Sequence, residues 1–456
     1  MSRKQEQRPR RVRLNSLEQI NLDAAGLDIG AEEIWACVPE ESTSEPVRCF
    51  ATFTPDLHRL AEWLESCGVT TVAMESTGVY WLPIYEILEA RGLEVCLVNA
   101  RATKNVSGRK SDVLDCQWIQ QLHTYGLLQA SFRPPADICT LRTYVRQREK
   151  LLQQRAAHIQ QMQSALHLMN LKLTSVITDI TGQTGMQIIR AILAGEQNPL
   201  ILAQLRDPRC KSSEAEIAKA LTGNYQPEHL FVLQQAVEAF DFYTQQLANC
   251  DRELQRHYAC FEPQVDIVEH PLPDKPQRQR ANQPDFDLRT LLYLTSGVDL
   301  TAVDGIDILL AQDIIAEVGT DMSKWKTAKH FASWLGLAPN NRSSAGKVKS
   351  RQTPKTKNRA NTAFRLAAQS VSRSPSAFGA FYRRIRAKHG APVAITATAH
   401  KIAGVVYRLL KERIPYSDPG ADSYNEQQRQ RSLRNLQRQA KKLGFDLVPE
   451  AQPSVS

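Results

Sequence analysis

Four acidic residues among the first 115 have the types and spacing of a metal site. Asp28 lies late in a short apolar segment, Glu75 ends another, and Asp112 and Asp115 stand three residues apart at the start of a predicted helix. Residues three apart on a helix share one face. If these carboxylates converge, their repulsion calls for divalent cations, and oxygen-only ligands select Mg²⁺ or Mn²⁺. Two such ions can activate an attacking oxygen and stabilise a leaving oxygen in phosphodiester chemistry.

Each acid also has a simpler interpretation when it is considered alone. Asp28 could lie at a strand edge that faces solvent, and Asp112 and Asp115 could be present because acids stabilise a helix N-terminus. The set of four on strand ends and one helix start favours the metal site.

A second candidate site is the loop 340–347, in which Ser343 and Ser344 lie between Arg342 and Gly346. Paired serines in such a loop usually contact phosphate or form turns, and a serine is a poor nucleophile without activation. No histidine lies beside this loop in the sequence. Composition alone therefore favours phosphate binding over catalysis.

Between Asp321 and Glu412 the chain has no acidic residue, although it has nineteen Lys and Arg. A solvated face normally mixes both signs, so this interval favours binding to a phosphate backbone. We expect contacts to nucleic acid from ten of its residues: Arg342, Ser343, Lys347, Lys349, Arg351, Lys355, Lys357, Arg359, Arg383 and Arg384. Because no recognition helix, zinc finger or basic zipper is evident, the sequence predicts backbone binding rather than direct base readout.

Length and composition set the remaining bounds. The chain has 456 residues, 42% of them hydrophobic, and a net charge of +9, which fits two to four globular domains and suggests a polyanionic partner. No apolar run approaches the roughly 18 residues of a membrane span, and the basic N-terminus is not followed by the apolar segment of a signal peptide. Nine cysteines without a Cys-x-x-Cys pair indicate reduced thiols and argue against zinc. We expect a cytoplasmic protein with no membrane partner.

The N-terminal part is predicted to alternate strands and helices. The strands are expected at 24–29, 34–38, 47–54, 70–75 and 93–98, and the helices at 56–67, 80–90 and 111–123. This βββαβαβα order implies a mixed sheet with helices packed on it.

Two long helices, over 137–173 and 228–258, are predicted next, with apolar residues repeating every seven positions. The pattern favours an antiparallel coiled-coil arm or dimerisation element, and two surface helices packed on the core are the simpler alternative. Arg148 and Arg155 interrupt the apolar row, so the predicted seam is imperfect. Farther along, Gly305 between two short helical segments matches a helix-hairpin-helix turn that could bind phosphate, although a plain helical turn fits equally well.

These motifs in combination resemble one known family. The matching segments are 26–30, 74–81, 98–100, 110–115 and 305–347, and the resemblance covers most of residues 22–135 and 291–412. The chain is similar to the DEDD-type insertion-sequence transposases with a RuvC-like N-terminal domain and a serine-containing C-terminal domain, the bridge-RNA-guided recombinases.

The resemblance implies an α/β RNase H-like (RuvC-like) fold for the N-terminal domain and a metal-binding tetrad there. The tetrad corresponds to Asp28, Glu75, Asp112 and Asp115, with Mg²⁺ or Mn²⁺ as the cofactor. It further implies a nucleophilic serine that forms a covalent link to DNA, in a site completed by the acids of another subunit.

The position of that serine is left open by the sequence. Relatives commonly have serine directly before glycine, whereas this chain reads Ser343-Ser344-Ala345-Gly346. Counting from Arg342 favours Ser344 as the nucleophile, with Ser343 as the second choice.

The resemblance also implies partners and a domain order. The expected partners are donor and target DNA, a structured guide (bridge) RNA, and further copies of the chain in a dimer or tetramer. The expected domains are a basic arm (1–20), the RuvC-like domain (21–135), a helical coiled-coil segment (136–262), a linker (263–290), a mostly α-helical serine-containing domain with the helix-hairpin-helix (291–412) and a polar tail (413–456). Base pairing with the RNA would supply the site choice for which no protein motif is evident.

The main alternative is a RuvC-like, Mg²⁺-dependent nuclease that hydrolyses branched DNA without a covalent serine intermediate. An actin-like or sugar-kinase ATPase also opens on Leu-Asp-Ile-Gly, but the Gly-rich phosphate and adenosine loops of those folds are not found. A catalytically dead RNA-binding protein is disfavoured because all four acids are present. A covalent protein–DNA adduct would distinguish the recombinase from the nuclease.

Overall fold

The computed structural model of the protein describes residues 18–76, 78–99, 112–274, 282–344, 347–350, 352–354 and 358–448. For residues 112, 113, 342–344, 347, 348 and 350 it describes the backbone. The chain divides into two compact units, Met1–Arg133 and Pro134–Ser456.

The first unit is built on a mixed five-stranded sheet. Its strands are β1 (Ala24–Ile29), β2 (Glu33–Cys37), β3 (Val47–Ala51), β4 (Thr71–Glu75) and β5 (Glu94–Val98), and its helices are α1 (Thr54–Ser66), α2 (Trp81–Ala90) and α3 (Asp112–Thr124). The strands lie in the order β3-β2-β1-β4-β5. β1 and β4 are parallel, as are β4 and β5, whereas β2 is antiparallel to both of its neighbours. The predicted mixed sheet with packed helices is confirmed, and it is consistent with an RNase H-like α/β fold.

One face of this sheet is a conventional apolar core. Leu27 of β1 and Met74 of β4 have no exposed surface, and they pack with Leu60 of α1 and Ile84 of α2. Because successive strand residues point to opposite faces, the neighbouring residues of β1 and β4 face the other side.

That other face is lined by small residues, and α3 packs closely on it. Ala24 and Ala73 are fully buried there. A Cβ on Gly26 would lie 2.3 Å from the Gln120 amide nitrogen and 2.5 Å from the Cys116 carbonyl oxygen, both backbone atoms of α3. Glycine is therefore required for α3 to approach β1 this closely.

The second unit is mostly α-helical. Its helices are α4 (Ala136–Leu168), α5 (Leu173–Val176), α6 (Gln183–Leu193), α7 (Pro199–Ala203), α8 (Glu214–Ala220), α9 (Pro227–Ala259), α10 (Leu288–Ser296), α11 (Ile308–Val318), α12 (Ala328–Trp334), α13 (Arg359–Ser370), α14 (Ala377–His389), α15 (Ala391–Glu412) and α16 (Gly420–Lys442). Two short antiparallel strands, β6 (Arg342–Ser344) and β7 (Lys347–Ser350), form a hairpin between α12 and α13.

The long helices α4 and α9 lie side by side in antiparallel orientation. His257 near the end of α9 contacts the carbonyl oxygen of Asp137 at the start of α4 at 2.8 Å. Arg148, which interrupts the heptad pattern, is only 5% exposed, and it donates to both carboxylate oxygens of Asp251 and to the Asn282 carbonyl. The interruption in the sequence is thus a buried ion pair between the two helices. A coiled coil formed by these helices stays a prediction.

The apolar helix α15 lies inside the second unit. Among the helices that the structure describes, α15 is the one whose length and apolar composition would allow it to cross a membrane. It packs against α12, α13 and α14, and half of its apolar segment is buried. This packing accounts for its composition.

The turn at Gly305 joins a short 3₁₀-helix, Leu300–Ala302, to α11. Gly305 has a φ of +89°, and a Cβ there would lie 2.4 Å from the Ala367 carbonyl oxygen of α13. The Ser370 hydroxyl also donates to the Gly305 carbonyl at 3.1 Å. The glycine is therefore required by packing against α13, and the helix-hairpin-helix interpretation stays a prediction.

Candidate active site

Asp28 and Glu75 lie at the C-terminal ends of two adjacent parallel strands. The register pairs Leu27 of β1 with Met74 of β4, so the two acids are the next residue along each strand. Adjacent strands are roughly 4.8 Å apart, and equivalent residues of parallel strands face the same side. Both acids are half-buried. Their carboxylates therefore share one edge and one face of the sheet.

Helix α3 runs antiparallel to these two strands across the same face. At its C-terminal end, His123 Nε2 lies 2.8 Å from Thr71 Oγ1 at the start of β4. Its middle, from Cys116 to Gln120, crosses Gly26 in β1. The N-terminal turn of α3 therefore points towards the C-terminal ends of β1 and β4.

This orientation brings Asp115 and the start of the helix towards the two strand acids. The positions of the acids can be compared along the common axis of β1 and α3, starting from Gly26. At about 3.3 Å per strand residue, Asp28 lies roughly 7 Å from Gly26 towards the C-terminal end of β1. At about 1.5 Å per helical residue, counted from the middle of the segment 116–120 that crosses Gly26, Asp115 lies about 4 Å and Asp112 about 9 Å in the same direction. Asp115 is half-buried, and the side chain of Asp112 is outside the described residues. The acid edge, as we call Asp28, Glu75 and Asp115 with the backbone of Asp112, thus lies at one end of the sheet.

The chemistry of the acid edge suits a hard cation. Carboxylate oxygens are the donors that Mg²⁺ and Mn²⁺ prefer, and they are poor ligands for softer metals. No three His, Cys, Asp or Glu side chains in the described part of the chain are grouped so that they could hold a metal ion. The donor type therefore fits a divalent cation, and the described side chains alone do not complete its ligand set.

Two further acids lie close to Asp28 and were missed by sequence reasoning. Glu32, in the turn between β1 and β2, and Glu33, the first residue of β2, line an open cavity together with Asp28 and Trp35. The turn is closed by Gly30, whose amide donates to the Glu33 carbonyl at 2.9 Å. Their position in the sequence, directly after the strand that carries Asp28, could have identified them as candidates for this site.

Two buried thiols lie beneath the acid edge. Cys37 pairs with Gly26 across β1 and β2, and Cys116 crosses the same glycine. The hydrogen bond between the two thiols lowers the pKa of Cys37, whereas that bond and burial raise the pKa of Cys116. Cys116 therefore remains a neutral thiol and adds no negative charge near Asp28. All nine cysteines are free.

The two candidate serines lie in the β6–β7 hairpin of the second unit. The register pairs Ser344 with Lys347 and Ser343 with Val348. Ser344 is therefore the last residue of β6, next to residues 345 and 346, which lie outside the described residues. The positions agree with a loop serine at the end of a strand, and the roles of the two serines stay predictions.

The ten residues predicted to contact nucleic acid fall into three groups. Arg351, Lys355 and Lys357 lie outside the described residues, and Arg342, Ser343 and Lys347 are described by their backbone. Lys349, Arg359, Arg383 and Arg384 are exposed.

The three described arginines of that set also make contacts within the unit. Arg359 forms an ion pair with Glu149 of α4. Arg383 donates to two backbone carbonyls at 2.8 and 3.2 Å, and Arg384 donates to the Tyr424 hydroxyl at 2.8 Å. Each therefore has a structural role, and phosphate binding by these residues stays a prediction.

Comparison with known proteins gives matches for both units. A DEDD transposase model of the IS110 type, described as "Transposase", matches residues 25–171, and the model described as "Transposase IS116/IS110/IS902 family" matches residues 299–383. A search among curated proteins finds no match. The two models together span about half of the chain, and they belong to the same kind of enzyme. The chain therefore belongs to the DEDD-type IS110 family of transposases and is an enzyme that recombines DNA.

Proposed function

We propose that this transposase cuts and rejoins the DNA of an insertion sequence through the hydroxyl of Ser344, assisted by Asp28, Glu75, Asp112 and Asp115 as a Mg²⁺-binding tetrad. The observation that carries the proposal is the acid edge, where two strand ends and one helix start converge. A match of the same region to a DEDD transposase model supports it. It also deepens the family assignment by giving each acid a role.

The tetrad would hold Mg²⁺, or Mn²⁺, through carboxylate oxygens alone. A bound divalent cation would offset the repulsion among the acids and stabilise negative charge on the reacting phosphate. The protein's own contribution is rigidity, because Asp28 and Glu75 are fixed by the sheet and α3 is seated against Gly26. Rigid placement matters because a misplacement of 1 Å can reduce a rate about 100-fold.

The proposed covalent step conserves the phosphodiester bond. The Ser344 oxygen attacks the phosphorus, the bond from phosphorus to one sugar oxygen breaks, and that oxygen leaves as a hydroxyl after taking up a proton. Reversal with a hydroxyl of another strand rejoins DNA and releases the serine. No ATP is needed because each step exchanges one phosphodiester for another.

The tetrad is tested by the isosteric change Asp115→Asn, which removes the charge and keeps the shape. We expect DNA cleavage to fall by at least about 100-fold while the thermal unfolding midpoint stays within a few degrees. Glu41→Gln, at an exposed position of the same unit, is the matched control and should recombine at the wild-type rate. Wild-type recombination by Asp115→Asn would show that the tetrad assignment is wrong.

The nucleophile is tested by trapping the protein–DNA adduct and mapping it by peptide mass spectrometry. We expect the adduct on Ser344, no adduct with Ser344→Ala, and an adduct still formed by Ser343→Ala. An adduct on Ser343 would move the role to that residue. Mg²⁺-dependent cleavage without any adduct would favour the RuvC-like nuclease instead.

The acids and the serine belong to different compact units, and we propose that the site is completed between subunits of a dimer or tetramer. The α4–α9 pair, as a coiled coil, would join those subunits. In a mixture of Ser344→Ala with Asp28→Asn protein, a site built in trans recovers one working pair of serine and acids in each mixed dimer. We expect the mixture to form adducts that neither variant forms alone. A mixture as inactive as its components, with mixed dimers verified, would show that the site is built within one chain.

We also propose that target choice comes from a structured guide RNA. The support is the acid-free interval between Asp321 and Glu412, which offers many cations for phosphate and no motif for direct base readout. RNase-treated protein should recombine two defined DNA sites only after RNA from the element's flanking non-coding region is restored. Full site-specific recombination without RNA would refute guidance. The helix-hairpin-helix at Gly305 would add a phosphate contact to the same surface.

A further inference from the structure

Among the residues that the structure describes, helix α16 packs on the second unit near its N-terminal end. Tyr424, in its second turn, is 6% exposed and packs edge-on against Phe381 of α14 with ring centres 6.2 Å apart. Apart from the half-buried Leu433 and Ala440, every residue of α16 after residue 428 is exposed. At about 1.5 Å per residue the helix is roughly 35 Å long. Its C-terminal half therefore projects from the unit with little packing to stabilise it.

The charges of this projecting half have one sign and lie on one face. After Glu426 the helix contains no acidic residue, and its remaining charged residues are Arg429, Arg431, Arg434, Arg438, Lys441 and Lys442. At 100° per residue the last five fall within an arc of about 100°. Arg429 points the opposite way and lies 3.8 Å from Glu426.

This basic face is costly for an isolated helix. Like charges three or four residues apart destabilise a helix by about 0.2–0.5 kcal/mol a pair, and the face contains several such pairs. A helix with little apolar packing has few tertiary contacts to offset that cost. Because the described part of the chain supplies no acid opposite this face, an external polyanion is the partner that its charge fits best.

The basic face continues into a cationic cluster at the base of the helix. Lys401 of α15 lies over the rings of Phe381 and Tyr424 at 4.6 and 5.1 Å, and Arg384 lies over the same rings at 5.5 and 5.9 Å. Burial, and then the charges of Arg384 and Arg431, lower the pKa of Lys401. Arg431 is therefore close enough to this pair to extend the positive surface from the body of the unit onto α16.

We propose that the basic face of α16 (Arg431, Arg434, Arg438, Lys441 and Lys442) binds the phosphate backbone of the duplex DNA substrate without regard to sequence. From Arg431 to Lys442 the face spans about 16 Å along the helix axis. Each strand of a duplex carries one phosphate per roughly 3.4 Å along the helix axis of the duplex, so a face of this length can contact several phosphates. The proposal rests on the DNA-recombining activity of the family and not on Ser344 or the tetrad.

The test is the salt dependence of binding to a fluorescent duplex of arbitrary sequence, followed by anisotropy. The full-length protein is compared with a variant in which the five cations are changed to Gln, which keeps helix propensity. The logarithm of the association constant falls linearly with the logarithm of the salt concentration, and each lost phosphate contact reduces the magnitude of this slope by about 0.9. At 0.1 M salt this corresponds to a Kd about eightfold higher for each lost contact. We expect at least two contacts to be lost, hence a slope smaller by about 2 and a Kd higher by about 60-fold.

Two further variants make the result specific. Exchanging Arg for Lys and Lys for Arg at the five positions keeps the charge and should keep both slope and Kd near wild type. Changing five exposed cations elsewhere to Gln lowers the net charge equally and should have a smaller effect: Arg190, Arg209, Lys211, Arg252 and Arg256. The assay measures binding without Mg²⁺ and reads no cleavage, so failure of the proposed nucleophile would not be mistaken for failure of this face.

Three outcomes would overturn the proposal. An unchanged slope in the five-Gln variant, with wild-type helix content by circular dichroism, would show that the face does not contact DNA. An equal loss in the five-position control would show that net charge alone acts. A change of oligomeric state by light scattering, with DNA binding intact, would show that α16 instead contacts a second copy of the chain.

Discussion

Gly26→Ala tests whether α3 must lie against β1 to position the acid edge. The added Cβ would lie 2.3 Å from the Gln120 nitrogen, and an ordinary contact needs 3.4 Å, so about 1 Å of separation must be gained. The obstructing atoms belong to the α3 backbone and cannot rotate away as a flexible side chain can. The helix as a whole must therefore move, and Asp112 and Asp115 move with it.

The expected effect has two parts that separate in the measurement. Inserting a methyl group into a packed interface costs about 1–3 kcal/mol, so the unfolding midpoint in denaturant should fall while the protein still folds. A displacement of 1 Å at catalytic groups can reduce a rate by about 100-fold, so DNA cleavage should fall far more than the folded fraction does. Both quantities are measured on the same preparation, with cleavage followed at saturating Mg²⁺.

Gly404→Ala is the matched control for this change. Gly404 lies inside α15, and a Cβ there would have no heavy atom within 4 Å. Replacing a helical glycine by alanine should stabilise the protein by about 0.5–1 kcal/mol and leave cleavage unchanged. If Gly26→Ala cleaves DNA at the wild-type rate with an unchanged midpoint, α3 is not seated as argued and the acid edge does not depend on it.

Three other predictions concern ionisable side chains. Arg148→Ala should cost about 3 kcal/mol of unfolding free energy because the Asp251 carboxylate, only 14% exposed, is left without its partner, and Asp251→Leu in the same protein should restore much of it, as chemical denaturation will show. Partial desolvation of a side chain that still has exposed surface, together with two neighbouring glutamates, raises the pKa of Asp313 to about 7. The unfolded chain loses this proton near pH 4, so stability falls as the pH rises from about 4 to about 7 and changes little above that. Because the side chain is exposed to water, Asp313→Asn should raise the free energy of unfolding by only about 1 kcal/mol at pH 8 and by almost nothing at pH 4. Equal gains at the two pH values would contradict a raised pKa for Asp313. Burial lowers the pKa of His123, so lowering the pH below about 6.5 should destabilise the wild type more than His123→Gln in thermal unfolding.

The elements of the first unit could be predicted because their signals are local. Alternating apolar segments, Pro55 near the start of α1 and Gly68 after its end placed the strands and helices within about three residues of their observed bounds. The order of the strands and the closeness of α3 are not local properties. Nothing near Gly26 in the sequence indicates that Gln120, 94 residues later, will lie against it.

The candidate site shows the same limit. The sequence predicts that Asp28 and Glu75 converge because one lies late in an apolar strand and the other ends one. The register of β1 and β4 pairs the residues directly before them, Leu27 and Met74. Arg148 looked like a defect in a heptad because its partner Asp251 lies 103 residues away on α9. A pattern reports which positions are buried, whereas the identity of the partner depends on which elements pack together.

The acid edge and the basic surfaces expected to bind nucleic acid lie on different units. The acid edge belongs to the first unit, whereas the acid-free interval and the basic face of α16 belong to the second. A carboxylate cluster surrounded by lysine and arginine would form ion pairs, and those pairs would compete with a cation for the same oxygens. A basic surface interleaved with acids would likewise repel part of the phosphate backbone that it must bind. An enzyme that recombines DNA is therefore served by placing the acid edge and the basic face of α16 on different units.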